Sequence, residues 1–360
     1  MTSTSGRKGS KSHGNEPRGA SRGAFRFARA PLPGTSPPDS GCSIRKMLTV
    51  SAARQGQILP WCVCAMLLAA AAIAAQPDQR ITLAGFLEAR LPQSRGGGGQ
   101  PLTLKEVCPI DSDPLAARIF REYGAMFAAR DVTIPPKCIF GSEKEVAEFQ
   151  STLSTRTGTV GGVKIELQTA AMEALLAAQQ DAAARRVAFT PRGGATASKR
   201  SFADTRRLWD SRFLPGLEYW LLKAKITRKE SDDVKQLPIA EQVRRVLDWE
   251  SKGMYFSTGK NRTILSSVGA PGTSQHLSAL ALDVAQFESA ALRSILNKHG
   301  WYQTVVDDTP HFTYIGVPES ELPQRGLVAT VKNGYRFWIP VLRVPEARAE
   351  QTPKRDGGTQ

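Results

Sequence analysis

The chain has 360 residues, with 48 Lys and Arg against 33 Asp and Glu and a formal net charge of +15. Its length allows two domains. The basic charge does not make it a nucleic-acid binder, because no basic helix, aromatic-interleaved strand or zinc-finger spacing accompanies it.

Taken in order, residues 1–46 are rich in Gly, Ser, Pro and Arg without apolar periodicity, which predicts disorder. Residues 47–75 read as a signal peptide. Arg45, Lys46 and Arg54 precede or open a charge-free apolar run, Ile58 to Ala75, that ends in small residues resembling an A-x-A cleavage site. Met47 is placed where such a signal should begin, so the true start is expected there and residues 1–46 are expected to precede it as a mis-assigned start. Export to the periplasm or outside follows, with membrane attachment only through this segment if it is not cleaved. Ten of the basic and two of the acidic residues fall in the first 75, leaving +7 for the remainder. A balance of that size suits a protein working beside anionic wall polymers.

Beyond the leader only Cys108 and Cys138 remain, and two cysteines in an oxidising compartment predict one disulfide. Closing a loop of that length stabilises by about 3–4 kcal/mol in the chain-entropy treatment. Residues 76–158 read as a linker, with the run Gly96 to Gly99, followed by a helical extension that the disulfide staples around Pro114 to Arg130.

Ser142-Glu143-Lys144-Glu145 has the form of a capping box opening a helix through Leu153, and Gly158 to Gly162 is expected to break the chain. Val163 to Leu167 alternates as a strand, Thr169 to Arg186 is an alanine-rich helix, and Val187 to Thr190 reads as a short strand. Helices are expected between Leu208 and Trp249, with a polar break near Lys229 to Lys235. Ser289 to His299 forms a helix stopped by Gly300, with His299 explained by the helix dipole. Asn333-Gly334 predicts a hairpin between Leu327–Val331 and Tyr335–Leu342. The tail, 346–360, is polar.

Two of the four histidines stand in segments that carry chemistry: Pro271-Gly272-Thr273-Ser274-Gln275-His276, with Asp283 seven residues on, and Asp308-Thr309-Pro310-His311-Phe312. Seven residues span about 10 Å on a helix and roughly 23 Å when extended. Zinc ligands lie only ~2 Å from the ion, so neither regular structure lets His276 and Asp283 share one. The turn chemistry of Pro271 to Ser274 resolves this. Ala279 to Ala285 then alternates as a strand, and His311 begins a second; paired, they bring His276, Asp283 and His311 to one point. Two histidines and a carboxylate make a catalytic type of zinc site with a position left for water.

In these motifs the chain resembles the zinc D-alanyl-D-alanine carboxypeptidases and dipeptidases of the vancomycin-resistance type. The resemblance implies an α+β domain over residues 159–345 in which a small antiparallel sheet carries the site between helices. It implies Zn2+ held by His276, Asp283 and His311, and hydrolysis of peptidoglycan stem peptides. Asp308 would be the catalytic base, in place of the family's glutamate and one methylene shorter, with Asp307 beside it. Arg200, in Ser198-Lys199-Arg200-Ser201-Phe202, would hold the substrate and its oxyanion, with Arg192 in reserve. Ser274 would touch substrate. Pro310 replaces the usual tryptophan, and Ala279 stands where glycine is common. The rival expectation is a catalytically weak zinc protein that binds wall peptides.

Overall fold

A computed structural model describes residues 81–91 and 102–342. The expected leader, the disorder before it, the glycine run and the polar tail lie outside the described residues. Among the described residues no helix is long and apolar enough to cross a membrane.

The fold is α+β. Three helices lead: α1 (Leu83–Arg90), α2 (Leu104–Val107) and α3 (Pro114–Tyr123). Proline at the first position of α3 and the Asp113 carboxylate accepting from the Leu115 amide give that helix a fixed start. The sequence suggests that this helix continues to Arg130; instead it tightens to a 3-10 turn at Gly124–Ala128, all of it buried. Next come α4 (Glu143–Ser151), the hairpin of β1 (Thr155–Val160) and β2 (Val163–Gln168), and α5 (Thr169–Ala184). Gly158 to Gly162, expected to break the chain after the preceding helix, instead spans the end of a polar strand, Thr155 to Val160, and its turn at Gly161 and Gly162. Thr155 to Val160 is a strand because β2 pairs with it along its whole length, from Thr155 opposite Gln168 to Val160 opposite Val163.

The Ser142 hydroxyl accepts from the Glu145 amide, but the Glu145 carboxylate turns outward to the Gly141 amide, so the capping box is only half made. Val187 to Thr190 is not a strand; only Pro191 bridges, to Val284. The long middle segment folds as α6 (Phe202–Leu222), α7 (Arg228–Gln236) and α8 (Ile239–Ser251). The polar break expected at Lys229 to Lys235 is itself helix. Thr227 and Glu230 satisfy each other's backbone amides in a complete capping box, which offsets the poor apolar content.

The remainder holds β3 (Ala281–Asp283), α9 (Ala290–Lys298), β4 (Trp301–Tyr302), β5 (His311–Tyr314), β6 (Leu327–Lys332) and β7 (Tyr335–Pro340). Instead of one small sheet there are three, all antiparallel: β1–β2, β3–β5–β4 and β6–β7. The last is the expected hairpin, with Asn333 and Gly334 both at positive φ, as its tight turn demands.

Two large apolar clusters form most of the core. One joins Leu83, Leu87 and Phe120 from the leading helices to Leu175, Leu280, Leu282, Trp301 and Phe312. The other packs Trp209, Phe213, Val246, Trp249 and Phe256 within the α6–α8 layer. The Cys108–Cys138 disulfide ties α2 to the segment before α4. Two residues on, the Phe140 amide donates to the Gly272 carbonyl at 2.9 Å. Gly272 has φ +80°, and a Cβ there would lie 2.0 Å from the Phe140 carbonyl oxygen, so only glycine fits. The stapled segment thereby abuts the turn that leads into His276.

Candidate metal centre

Strand pairing brings two of the three candidate ligands together. In the antiparallel pair β3–β5, Asp283 stands directly opposite His311, which places the two Cα atoms only about 5 Å apart. The third arrives by a turn. The Ser274 hydroxyl caps a 3-10 helix, Gln275–Ser278, and Ala279 then enters the left-handed region at φ +54°, so the chain reverses between His276 and Asp283. Ala279 marks the one sharp corner this reversal needs; glycine would take that conformation without the strain of about 1 kcal/mol that a Cβ brings.

The outcome is a cluster in which one ligand atom each of His276, Asp283 and His311 lies within 4.8 Å of the others. Asp283 Oδ1 is 3.4 Å from His276 Nε2 and 3.4 Å from His311 Nδ1. A tetrahedral ion with bonds of ~2.1 Å has ligand–ligand edges of about 3.4 Å. The imidazole rings meet edge to face, centroids 4.9 Å apart.

The hydrogen bonds around the cluster decide which nitrogens carry protons. His276 Nδ1 lies 2.6 Å from the Ser198 carbonyl, which can only accept, so Nδ1–H donates and Nε2 keeps its lone pair. Gln275 Nε2 donates to the Tyr123 carbonyl at 2.8 Å, which leaves its Oε1 to accept from His311 Nε2 at 2.7 Å. His311 Nδ1 therefore also keeps a lone pair. Both lone pairs face one carboxylate oxygen, and buried His276 Nε2 has no hydrogen-bond partner. Three electron-pair donors in a desolvated space repel unless a cation sits among them. The donor set therefore fits a divalent metal, with each imidazole oriented by a protein carbonyl.

Charge points the same way. Burial, followed by the positive charge of Arg200, pulls the His276 imidazole down to about 4, so it is neutral at physiological pH. The Asp283 carboxyl is held well below the usual range: burial opposes ionisation, and the Arg200 guanidinium beside it favours the carboxylate. Arg200 donates from Nη2 to Asp283 Oδ2 and from Nε to the Thr196 carbonyl, the latter at 2.7 Å. Nε and Nη2 are thus committed to the protein, and Nη2 orients Asp283.

The cluster lies in a cleft of about 380 Å³. Asp308, Arg200, Arg192 and Ser274 line it with the three ligands. Burial raises the Asp308 carboxyl to about 6, opposed by His311 and reinforced by the negative charge of Asp283. Asp307 takes positive φ, pairs with Lys332 at 2.6 Å and is not among the residues lining the cleft. The Ser274 hydroxyl accepts from the His276 amide at 3.4 Å. His299 binds Asp181 at 3.0 Å and is not in the cluster.

Several contributors escaped sequence reasoning. Gln275, fully buried, sets the His311 tautomer, and Ser198 sets that of His276 through its backbone. Gln275 was findable as the polar residue inside the histidine motif that cannot itself ligate through nitrogen. Tyr123 lines the cleft from α3 while its hydroxyl donates to the Leu265 carbonyl. Arg207 and Arg212 line it from α6. Compared with protein-family models, with curated proteins and with solved structures, the chain matches none.

Proposed function

We propose that the chain is an exported zinc peptidase that hydrolyses peptidoglycan stem peptides, with the terminal D-alanyl-D-alanine bond as its target. The observation that carries the reading is the convergence of His276 Nε2, Asp283 Oδ1 and His311 Nδ1, two lone pairs and a carboxylate without a proton between them, in an open cleft. The residue motifs that resemble the zinc D,D-carboxypeptidases, the secretory pattern of residues 47–75 and the Cys108–Cys138 disulfide support it.

Zinc bound by these three residues supplies an acidified water and polarises the scissile carbonyl. The remaining work falls to the chain's own groups. Asp308, ionised above about pH 6, accepts a proton from the attacking water at its carboxylate and delivers it to the leaving amine nitrogen. Arg192 has no carboxylate partner within 4.0 Å among the described residues, and its amide donates to the Asp283 carbonyl at 2.8 Å. In this reading Arg192, whose guanidinium lies over the Phe287 ring at 5.8 Å, binds the substrate's terminal carboxylate, whereas Arg200 keeps Asp283 in register.

Zinc-loaded protein should release D-alanine from a muramyl pentapeptide, lose that activity to a chelator and regain it with added zinc. Full zinc occupancy without release from any stem peptide would overturn the peptidase reading. The rival, a zinc-containing module that binds wall peptide, draws its support from the shorter reach of Asp308, because catalytic geometry tolerates little slack.

A further inference from the structure

The cleft carries more positive charge than the chemistry at its floor uses. Four arginines line it, Arg192, Arg200, Arg207 and Arg212, against the two carboxylates Asp283 and Asp308. Arg200 is taken by Asp283, and Arg207 by Asp204 at 2.9 Å. Arg212 is different. Its Nε donates to the Ser267 hydroxyl at 3.0 Å and its Nη1 to the Ser211 hydroxyl at 2.9 Å, so the guanidinium is held in one orientation. No carboxylate lies within 4.0 Å of it among the described residues. Its neighbour in charge is another cation: Lys260, whose ammonium donates to the Ser257 carbonyl at 3.2 Å, feels Arg212 as a destabilising like charge. A half-buried guanidinium fixed by neutral hydroxyls, beside a second cation, is a poor arrangement for the free protein and a good one for an incoming anion.

Resting on the peptidase reading for the site itself, we infer that Arg212, seated by Ser267 on the α6 wall of the cleft, is a second carboxylate-binding subsite. It selects peptides that bear a free carboxylate upstream of the scissile bond, in addition to the terminal carboxylate at Arg192. Arginine suits this task because its planar fork matches a carboxylate through two parallel hydrogen bonds. Amidation of that upstream carboxylate removes both its charge and one acceptor. The subsite thus discriminates between acidic and amidated forms of the same stem peptide.

The test compares two synthetic pentapeptides, L-Ala-γ-D-Glu-L-Lys-D-Ala-D-Ala and its counterpart in which the glutamate α-carboxylate is an amide. Equilibrium binding to the zinc-loaded full chain is measured first, and D-alanine release second. The acidic peptide should bind at least tenfold more tightly at low salt. Arg212→Gln should bring the ratio of the two affinities close to one, and Arg212→Lys should restore part of it; recovery by lysine separates loss of charge from loss of fold. Equal affinity of the unaltered protein for both peptides would overturn the inference, and so would a preference that survives Arg212→Gln. Discriminating binding without D-alanine release would leave the subsite standing and remove the peptidase reading instead. Release without discrimination would do the reverse.

Discussion

The floor and the α6 wall of the cleft are built on opposite terms. At the floor, each polar group has an assigned place: Ser198 orients one imidazole, Gln275 the other, and Arg200 the carboxylate between them. The segment from Gln275 to Leu282 is wholly buried. On the wall, Arg207 is taken by Asp204, whereas Arg212 is held by hydroxyls alone and keeps donors for something outside the protein. Chemistry demands groups fixed within a fraction of an ångström. Recognition of an anion tolerates a longer, wetter side chain that gives specificity more than raw affinity. The contrast therefore divides pre-organisation from selection within one cavity.

Substitutions should separate the two regions. The largest effect falls on the floor: His276→Ala should abolish metal binding and with it all hydrolysis, measured as zinc content and D-alanine release on the same preparation. Asp308→Asn should leave zinc in place and lower the rate by about 10²–10⁴-fold, the usual contribution of a positioned acid or base. The unaltered protein should also lose kcat/KM as pH drops below about 6, where Asp308 takes up a proton. A rate independent of pH between 5 and 7, or an Asp308→Asn variant of normal rate, would move the base elsewhere.

Gly272→Ala comes next. The residue would be forced to positive φ with its Cβ 2.0 Å from the Phe140 carbonyl. The turn can relieve that only by moving, so a loss of about 2 kcal/mol or more is expected, with weakened zinc affinity. A thermal melt unchanged by the substitution would show that the turn is not fixed by the stapled segment. Ala279→Gly is the smallest. Relief of about 1 kcal/mol of left-handed strain is nearly offset by about 0.8 kcal/mol of lost methyl burial. Stability should stay within about 0.5 kcal/mol, which explains how alanine persists at this corner. A gain of more than 2 kcal/mol would mean that the corner is far more strained than its φ of +54° implies.

Much of the floor is legible in the residue order, because its signals are local. A turn between His276 and Asp283 is required by simple chain dimensions, and alternation points to both strands. Asn333-Gly334 and Gly300 announce their turns through positive φ. The partners of the ligands are hidden, because they come from 78 residues before His276, as with Ser198, or act through an atom whose role depends on a contact with α3, as with Gln275. Arg200 illustrates the same limit. Its place near the site follows from the motif, but its commitment to Asp283 depends on a long-range contact across 83 residues. The helix at Arg228–Gln236 is masked by its polar composition, although Thr227 and Glu230 spell its capping box. Thr155–Val160 has no pattern of its own and becomes a strand only through its partner.

The most direct test is a zinc titration of metal-free protein followed calorimetrically, with the His276→Ala and His311→Ala variants alongside. One ion per chain, bound at sub-micromolar affinity and lost in both variants, is the expected result. Absence of binding in the unaltered protein, or binding that survives removal of either histidine, would contradict the metal centre and everything built on it.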